Sequence, residues 1–131
     1  MKDNGKKKMR VLIVEDEEDI LNLYTEYLSS RGHRVVSCSR NANNIVSNFV
    51  KCEPDICLID DIVGGKSTGI NAATQILEKR PSTPILFTTA YESIKTELPK
   101  HHDLDHKNIQ VLLKPAKLFQ IEDLMLDMVN N

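Results

Sequence analysis

Short apolar runs alternate with amphipathic segments along the chain. Five runs rich in Val, Ile and Leu have the length and composition of strands in a sheet, and they cover residues 11–14, 33–38, 56–59, 85–89 and 111–113. Between them, apolar residues recur with the period of a helix. This pattern predicts helices from residue 20 to Gly32, over 42–51 and 70–80, and from residue 118 onwards.

The helical period also predicts which side chains face the core. One apolar stripe belongs to each helix, and the stripes are Ile20, Leu23, Tyr24, Tyr27 and Leu28, then Ile45, Val46, Phe49 and Val50, then Ala73, Ile76 and Leu77, and finally Leu118, Ile121, Leu124, Met125 and Met128. Residues 63–69 are typical of a loop. Between 91 and 108, Pro99 interrupts a short polar helix, and residues 101–108 are too polar to pack. The run at 111–113 predicts a buried fifth strand.

Strands that alternate with helices predict an α/β fold. We expect a flavodoxin-like, doubly wound sheet of five parallel strands in the order 2-1-3-4-5, with helices on both faces. The 131 residues suffice for a single domain, which we place at residues 9–131. In such folds a ligand binds at the carboxyl ends of the strands, where the strand order reverses.

The charge of the chain argues against nucleic acid or a membrane as a partner. Lys and Arg number 17 against 19 Asp and Glu, for a formal net charge of −2. The most basic segment is the N-terminal 1–8, which we expect to be a flexible tail. No apolar run approaches the length of about 18 residues that a membrane span requires.

The three cysteines fit neither a disulfide framework nor a zinc site. Cys38, Cys52 and Cys57 are odd in number, form no CxxC pair and lie in or beside apolar segments. We expect them to be reduced thiols in the core. Together with the lack of a signal-peptide pattern, they favour a cytoplasmic location.

Polar side chains follow four of the five predicted strands. They are Glu15 and Asp16 after the first, Asp60 and Asp61 after the third, Thr88 and Thr89 at the end of the fourth and Lys114 after the fifth. In the order 2-1-3-4-5 the first and third strands are neighbours, so their carboxylates crowd together unless a cation or a proton intervenes. Mg²⁺ is the natural cation because it prefers oxygen ligands.

Four segments resemble the motifs of one family, the receiver domains of two-component response regulators. They are VLIVEDEEDI at 11–20, PDICLIDD at 54–61, PILFTTA at 84–90 and LLKP at 112–115, in the family's order and at nearly its spacings. The resemblance extends over residues 9–129. It implies a stand-alone receiver of the kind found in chemotaxis and sporulation relays.

Carried over residue by residue, the resemblance implies that Asp60 is the phosphoacceptor. It implies that Glu15, Asp16, Asp60 and the backbone carbonyl of Ile62 hold Mg²⁺. The longer side chain of Glu15, where the family commonly has Asp, is a mild departure.

The resemblance also assigns the residues that bind the phosphoryl group. The Thr89 hydroxyl and the backbone N–H of Ala90 would bind phosphoryl oxygens, and the Lys114 ammonium would offset negative charge in the transition state. The aromatic residue that commonly precedes this lysine by three positions is Val111 here. Gly64 stands where a proline is common, and Gly69 comes one position late.

The implied function is phosphoprotein signalling without metabolic catalysis. The phosphoryl donor would be a sensor histidine kinase or a phosphotransfer protein, and the output would be contact with an unknown downstream protein or onward transfer in a phosphorelay. Neither nucleic acid nor membrane is expected as a partner. We expect a monomer or a weak, phosphorylation-dependent dimer.

Other interpretations remain open from the residues alone. Acids after residue 14 also favour a helix N-terminus, Thr89 could cap a helix, and Lys114 could form a surface ion pair. A degenerate receiver would act as a phosphate-independent interaction module. An Asp-nucleophile phosphohydrolase is a third possibility, although its usual DxD pair is absent from Val14-Glu15-Asp16.

Overall fold

The structure is a computed structural model that describes residues 8–39, 44–60, 62–63, 66–67, 69–89 and 108–130. Within these ranges the chain forms seven strands and four helices. The strands are β1 (Arg10–Val14), β2 (Arg34–Ser39), β3 (Ile56–Asp60), β4 (Ile62–Val63), β5 (Lys66–Ser67), β6 (Ile85–Thr89) and β7 (Ile109–Leu113). The helices are α1 (Glu18–Ser30), α2 (Ile45–Cys52), α3 (Gly69–Lys79) and α4 (Leu118–Asn130).

Five strands form one parallel sheet in the order β2-β1-β3-β6-β7. Counted along the chain within this sheet, the order is 2-1-3-4-5, so the predicted topology is confirmed. Val14 lies opposite Ile59, and Thr89 lies opposite Leu113. The register therefore brings the carboxyl ends of the central strands to one edge.

Each face of the sheet carries its own apolar layer. Side chains of α2 and α3 pack against alternate strand residues such as Leu12, Ile59 and Phe87. Side chains of α1 and α4 pack against the opposite set, which includes Ile13 and Leu58. The predicted helices on both faces are confirmed, because continuous apolar runs supply side chains to both layers.

Local sequence explains where α1 begins and ends. Glu18 and Asp19 lie in the first turn, where carboxylates favour the positive end of the helix dipole. Gly32 follows the helix with φ 92°, a backbone conformation that glycine adopts at little cost. Its N–H donates to the Ser29 carbonyl oxygen at 3.0 Å and completes the turn into β2.

Two predicted helix stripes were wrong in part. Leu23 is 50% exposed, and Leu21 lies in the core instead, in line with Tyr24 and Leu28. Val50 is 55% exposed on α2. Both errors have the same cause: an apolar residue beside the buried stripe fits the helical period almost as well as one within it.

Three other expectations also need correction. Of the free cysteines, only Cys57 lies in the core, whereas Cys38 is exposed and Cys52 is partly exposed. Strand β7 is only partly buried, because it pairs with β6 alone and forms an edge of the described sheet. The predicted 63–69 loop contains part of a small antiparallel hairpin, in which Ile62 pairs with Ser67.

A buried polar cluster joins α1, β2 and α4 at the amino ends of the strands. Glu122 accepts hydrogen bonds from Arg31 Nε at 3.0 Å, from Tyr27 at 3.3 Å and from His33 Nε2 at 2.7 Å. The Met9 backbone N–H donates to His33 Nδ1 at 3.1 Å, so the proton of the neutral imidazole lies on Nε2. Among the described residues, no buried side-chain polar atom of this cluster lacks a hydrogen-bond partner.

None of the helices in the described ranges is long and apolar enough to cross a membrane. Residues 1–7 of the predicted tail at 1–8, Asp61, Gly64, Ala90 and residues 91–107 lie outside the described residues, and so do the predictions that concern them.

Candidate functional site

Three carboxylates meet at the carboxyl ends of β1 and β3. Glu15 and Asp16 follow β1 directly, and Asp60 is the last residue of β3. β1 and β3 are parallel neighbours, and Val14 lies opposite Ile59. The residues that follow this pair, Glu15 and Asp60, therefore also lie beside each other. One carboxylate oxygen of each acid lies within 4.8 Å of those of the other two.

Glu15 carries most of the electrostatic cost of this arrangement. Its side chain is fully buried, and its Oε2 atom accepts a hydrogen bond from the Glu17 backbone N–H at 3.2 Å. Oε1 is buried without a hydrogen-bond partner among the described residues. Burial, and then the Asp60 charge, raise the pKa of Glu15 from 4.5 to about 7.

Lys114 supplies positive charge to the acidic pocket formed by Glu15, Asp16 and Asp60. Its Nζ atom lies 3.5 Å from Asp60 Oδ1 and 3.6 Å from Glu15 Oε1. Burial alone would lower the pKa of Lys114, but Asp60 and Glu15 outweigh it and raise that pKa above 10.5. The ammonium therefore stays protonated beside the carboxylates.

The backbone fixes the lysine relative to β6. The Lys114 backbone N–H donates to the Thr89 carbonyl oxygen at 2.7 Å. Thr89 ends β6 and is buried. Its neighbour Thr88 is paired with Asp60 across β3 and β6. A hydroxyl-bearing strand end, a lysine and the acidic pocket thus lie together at one edge of the sheet.

The structure thus brings Glu15, Asp16, Asp60 and Lys114 together as the sequence predicted. The Ile62 backbone begins β4, two positions after Asp60. The predicted role of the Ala90 N–H concerns a residue outside the described ranges.

Sequence reasoning missed one polar side chain near the pocket. Tyr24 lines a surface groove together with Lys114, although the residue was assigned only to the apolar stripe of α1. Burial is the main reason why the pKa of Tyr24 is raised, and Lys114 acts in the opposite direction. A tyrosine in an apolar stripe was the available signal, because a buried phenol needs a partner.

The acidic pocket fits a hard divalent cation. Its ligands are all oxygen atoms, and Glu15 Oε1 is a buried carboxylate oxygen that has no hydrogen bond within the described part of the chain. Mg²⁺ prefers such ligands and retains water where the protein supplies only a few. The pocket could therefore hold a metal ion of this kind.

Fold and site together define the class of protein. A doubly wound sheet in the order 2-1-3-4-5, with acids on the first and third strands and a lysine after the fifth, is the architecture of a receiver-type signalling domain.

The chain belongs to the response regulator receiver domain family, whose sequence model matches residues 11–125. Among curated proteins it is 26% identical over 113 residues to the regulatory protein AtoC of Escherichia coli, covering 78% of this chain and 24% of AtoC. It is 30% identical over 121 residues to the response regulator protein PilR of Pseudomonas aeruginosa, covering 90% of this chain and 25% of PilR. The chain thus spans only about a quarter of the length of these two relatives.

Solved structures share the fold. The receiver domain of PhyR from Erythrobacter litoralis superposes with a TM-score of 0.76 at 23% identity, covering 94% of this chain and 91% of that one. The receiver domain of a modulated diguanylate cyclase from Desulfovibrio desulfuricans gives 0.78 at 24% identity and covers 95% of both chains. Similarity at this level of identity concerns the architecture alone.

Proposed function

We propose that this receiver domain accepts a phosphoryl group on Asp60. The observation that carries the proposal is the position of the Asp60 carboxylate, which ends a buried strand and lies 3.5 Å from the Lys114 ammonium. The donor would be the phosphohistidine of a sensor histidine kinase or of a phosphotransfer protein.

The transfer step forms one bond and breaks another. A carboxylate oxygen of Asp60 attacks phosphorus, and the new O–P bond forms as the P–N bond of phosphohistidine breaks. The imidazole nitrogen leaves with the electron pair. Asp60 reacts as the carboxylate, with the Lys114 ammonium 3.5 Å from its Oδ1 atom.

The remaining site residues would offset the charge that gathers during transfer. We assign Glu15, Asp16, Asp60 and the Ile62 carbonyl oxygen as ligands of Mg²⁺. Such an ion supplies electrostatic stabilisation to phosphoryl oxygens when it is bound.

Lys114 would pair with the phosphoryl group once it is attached to Asp60. The Thr89 hydroxyl and the Ala90 N–H would bind its other oxygens. The Thr89 carbonyl already accepts a hydrogen bond from the Lys114 N–H, so movement of either residue is coupled to the other. That coupling supports a phosphorylation-dependent change at the surface beyond β6.

The output would be protein contact or onward transfer in a phosphorelay. We place the protein in the cytoplasm as a receiver domain over residues 9–131, preceded by a flexible tail, and as a monomer or a weak phosphorylation-dependent dimer. Because this chain spans about a quarter of AtoC and PilR, its output and partners are part of the proposal.

The test is intact mass after incubation with acetyl phosphate, with and without Mg²⁺. We expect wild type to gain one phosphoryl group only with Mg²⁺ and Asp60→Asn to gain none. Asp127→Asn, which changes an exposed carboxylate on α4, is the matched control and should behave as wild type. Equal labelling of Asp60→Asn would refute the assignment.

The same experiment separates the alternatives. No mass gain in folded wild-type protein would favour a phosphate-independent interaction module. Repeated turnover of an external phosphate ester would favour a phosphohydrolase instead.

A further inference from the structure

Tyr24 on α1 and Lys114 after β7 contribute to one surface groove. Both side chains line the same surface groove, together with Ile20, Pro115 and Leu118. Tyr24 is only 7% exposed, so its ring is packed in the apolar layer between α1 and the sheet. Lys114 lies 3.5 Å from Asp60 Oδ1, so the groove that it shares with Tyr24 adjoins the acidic pocket. The charges of Lys114, Glu15 and Asp60 also act on the pKa of Tyr24, in agreement with this placement.

Thr88 presents a buried hydroxyl at the same place. It is 1% exposed and lies directly across from Asp60 in the strand register. Its Oγ1 atom has no partner at ordinary hydrogen-bond length among the described residues, although the Tyr24 hydroxyl is close enough for Thr88 to affect its pKa. Leaving a buried hydroxyl unbonded is unfavourable. A small approach of the Tyr24 phenol would satisfy it.

The contacts of Lys114 with its two carboxylates are long. The separations of 3.5 and 3.6 Å exceed the roughly 2.7–2.9 Å of a charge-assisted hydrogen bond. Its side chain is 23% exposed and flexible, so the ammonium could turn towards either carboxylate or towards water. A third contact would hold it more firmly between Glu15 and Asp60.

We propose that Tyr24 is a positioning residue that supplies this contact. The Lys114 ammonium donates a hydrogen bond to the Tyr24 phenol oxygen, and the phenol proton is donated to Thr88 Oγ1. This chain of hydrogen bonds joins α1, β6 and the residue after β7 around Asp60. Its effect on phosphoryl transfer rests on the function proposed above, whereas its effect on Lys114 does not.

The first test compares rates of phosphorylation by acetyl phosphate. Tyr24→Phe keeps the ring, and Thr88→Val keeps the shape, while each removes one hydroxyl. We expect either variant to react about threefold to tenfold more slowly, as the loss of one hydrogen bond allows. The double variant should be no slower than the slower single variant, because both changes interrupt the same chain.

Tyr27→Phe is the matched control for this test. Tyr27 also lies on α1, but its hydroxyl bonds Glu122 at the other end of the sheet, so its removal should leave the rate unchanged. A wild-type rate in Tyr24→Phe would overturn the proposal. Rate losses that multiply in the double variant would show two independent effects and would overturn the chain of hydrogen bonds.

The second test does not need phosphorylation. In NMR spectra of protein with isotope-labelled lysine, a fixed Lys114 gives two inequivalent ε-methylene protons, and the assignment comes from Lys114→Arg. We expect the two signals to merge in Tyr24→Phe and to stay apart in Tyr27→Phe. Signals unchanged by Tyr24→Phe would refute the positioning role even if wild type accepts no phosphoryl group, a result that would separately refute the proposed function.

Discussion

Replacing Glu15 with Gln isolates the free energy of holding a carboxylate in the acidic pocket. Burial and the Asp60 charge raise the pKa of Glu15 from 4.5 to about 7. The folded protein therefore binds the proton of the Glu15 carboxyl more tightly than the unfolded chain does. The stability that this protonation contributes is present below pH 4.5 and is lost as the pH rises through about 7. At about 1.4 kcal/mol per pKa unit, the loss is about 3 kcal/mol.

Gln cannot ionise, so the Glu15→Gln variant avoids this loss. We expect its unfolding free energy relative to wild type to increase by about 3 kcal/mol between pH 4.5 and pH 8. The assay is urea unfolding in the presence of EDTA, since a bound cation would stabilise the ionised carboxylate. A difference that stays constant with pH, or that shrinks as the pH rises, would refute the reasoning.

Glu26→Gln provides the control for this comparison. It makes the same acid-to-amide change on an exposed position of α1, away from the acidic pocket. Its difference from wild type should change little over the same pH range. A parallel change in both variants would show a general effect of net charge instead of crowding in the pocket.

Two further predictions concern stability. Glu122→Gln should cost about 2 kcal/mol near pH 7, because charge-assisted hydrogen bonds from Arg31 and His33 are weakened. Burial alone would raise the pKa of Glu122, but these bonds outweigh it and lower that pKa below 4.5. The cost of the substitution should therefore fade as the pH drops through this lowered pKa. A loss of stability that does not depend on pH would contradict the assignment. Phe87→Ala should cost about 3–5 kcal/mol in urea unfolding, because the ring is fully buried; a loss below about 1 kcal/mol would show that the core is not packed around it.

The fold and the acidic pocket could be predicted because they depend on patterns that tertiary structure cannot easily override. A continuous apolar run such as that ending at Val14 or Ile59 has to be buried on both faces, which requires a parallel sheet covered by helices. Acids placed directly after two such runs must then share an edge of the sheet. Their proximity follows from strand order alone.

Other features of the structure depend on distances that the spacing of apolar residues along the chain does not determine. The choice between Leu21 and Leu23 depends on a rotation of α1 by part of a turn, which changes the helical period very little. The side chain of Tyr24 fits an apolar stripe whether its hydroxyl meets solvent or Lys114. The exposure of Cys38 follows from its place on β2, which pairs with β1 alone and forms the other edge of the described sheet.

The two ends of the strands differ in how their buried charges are compensated. One end holds the cluster of Arg31, His33 and Glu122, and the other holds the acidic pocket. At the amino ends of the strands, the buried Glu122 carboxylate accepts hydrogen bonds from Arg31 and His33. At the carboxyl ends, Glu15 and Asp60 repel each other, so that end stores unfavourable energy. A cation bound there would offset this repulsion, because it places positive charge between the carboxylates. The fold therefore separates a stabilising hydrogen-bonded cluster from a charge-crowded site at which cation binding is favoured.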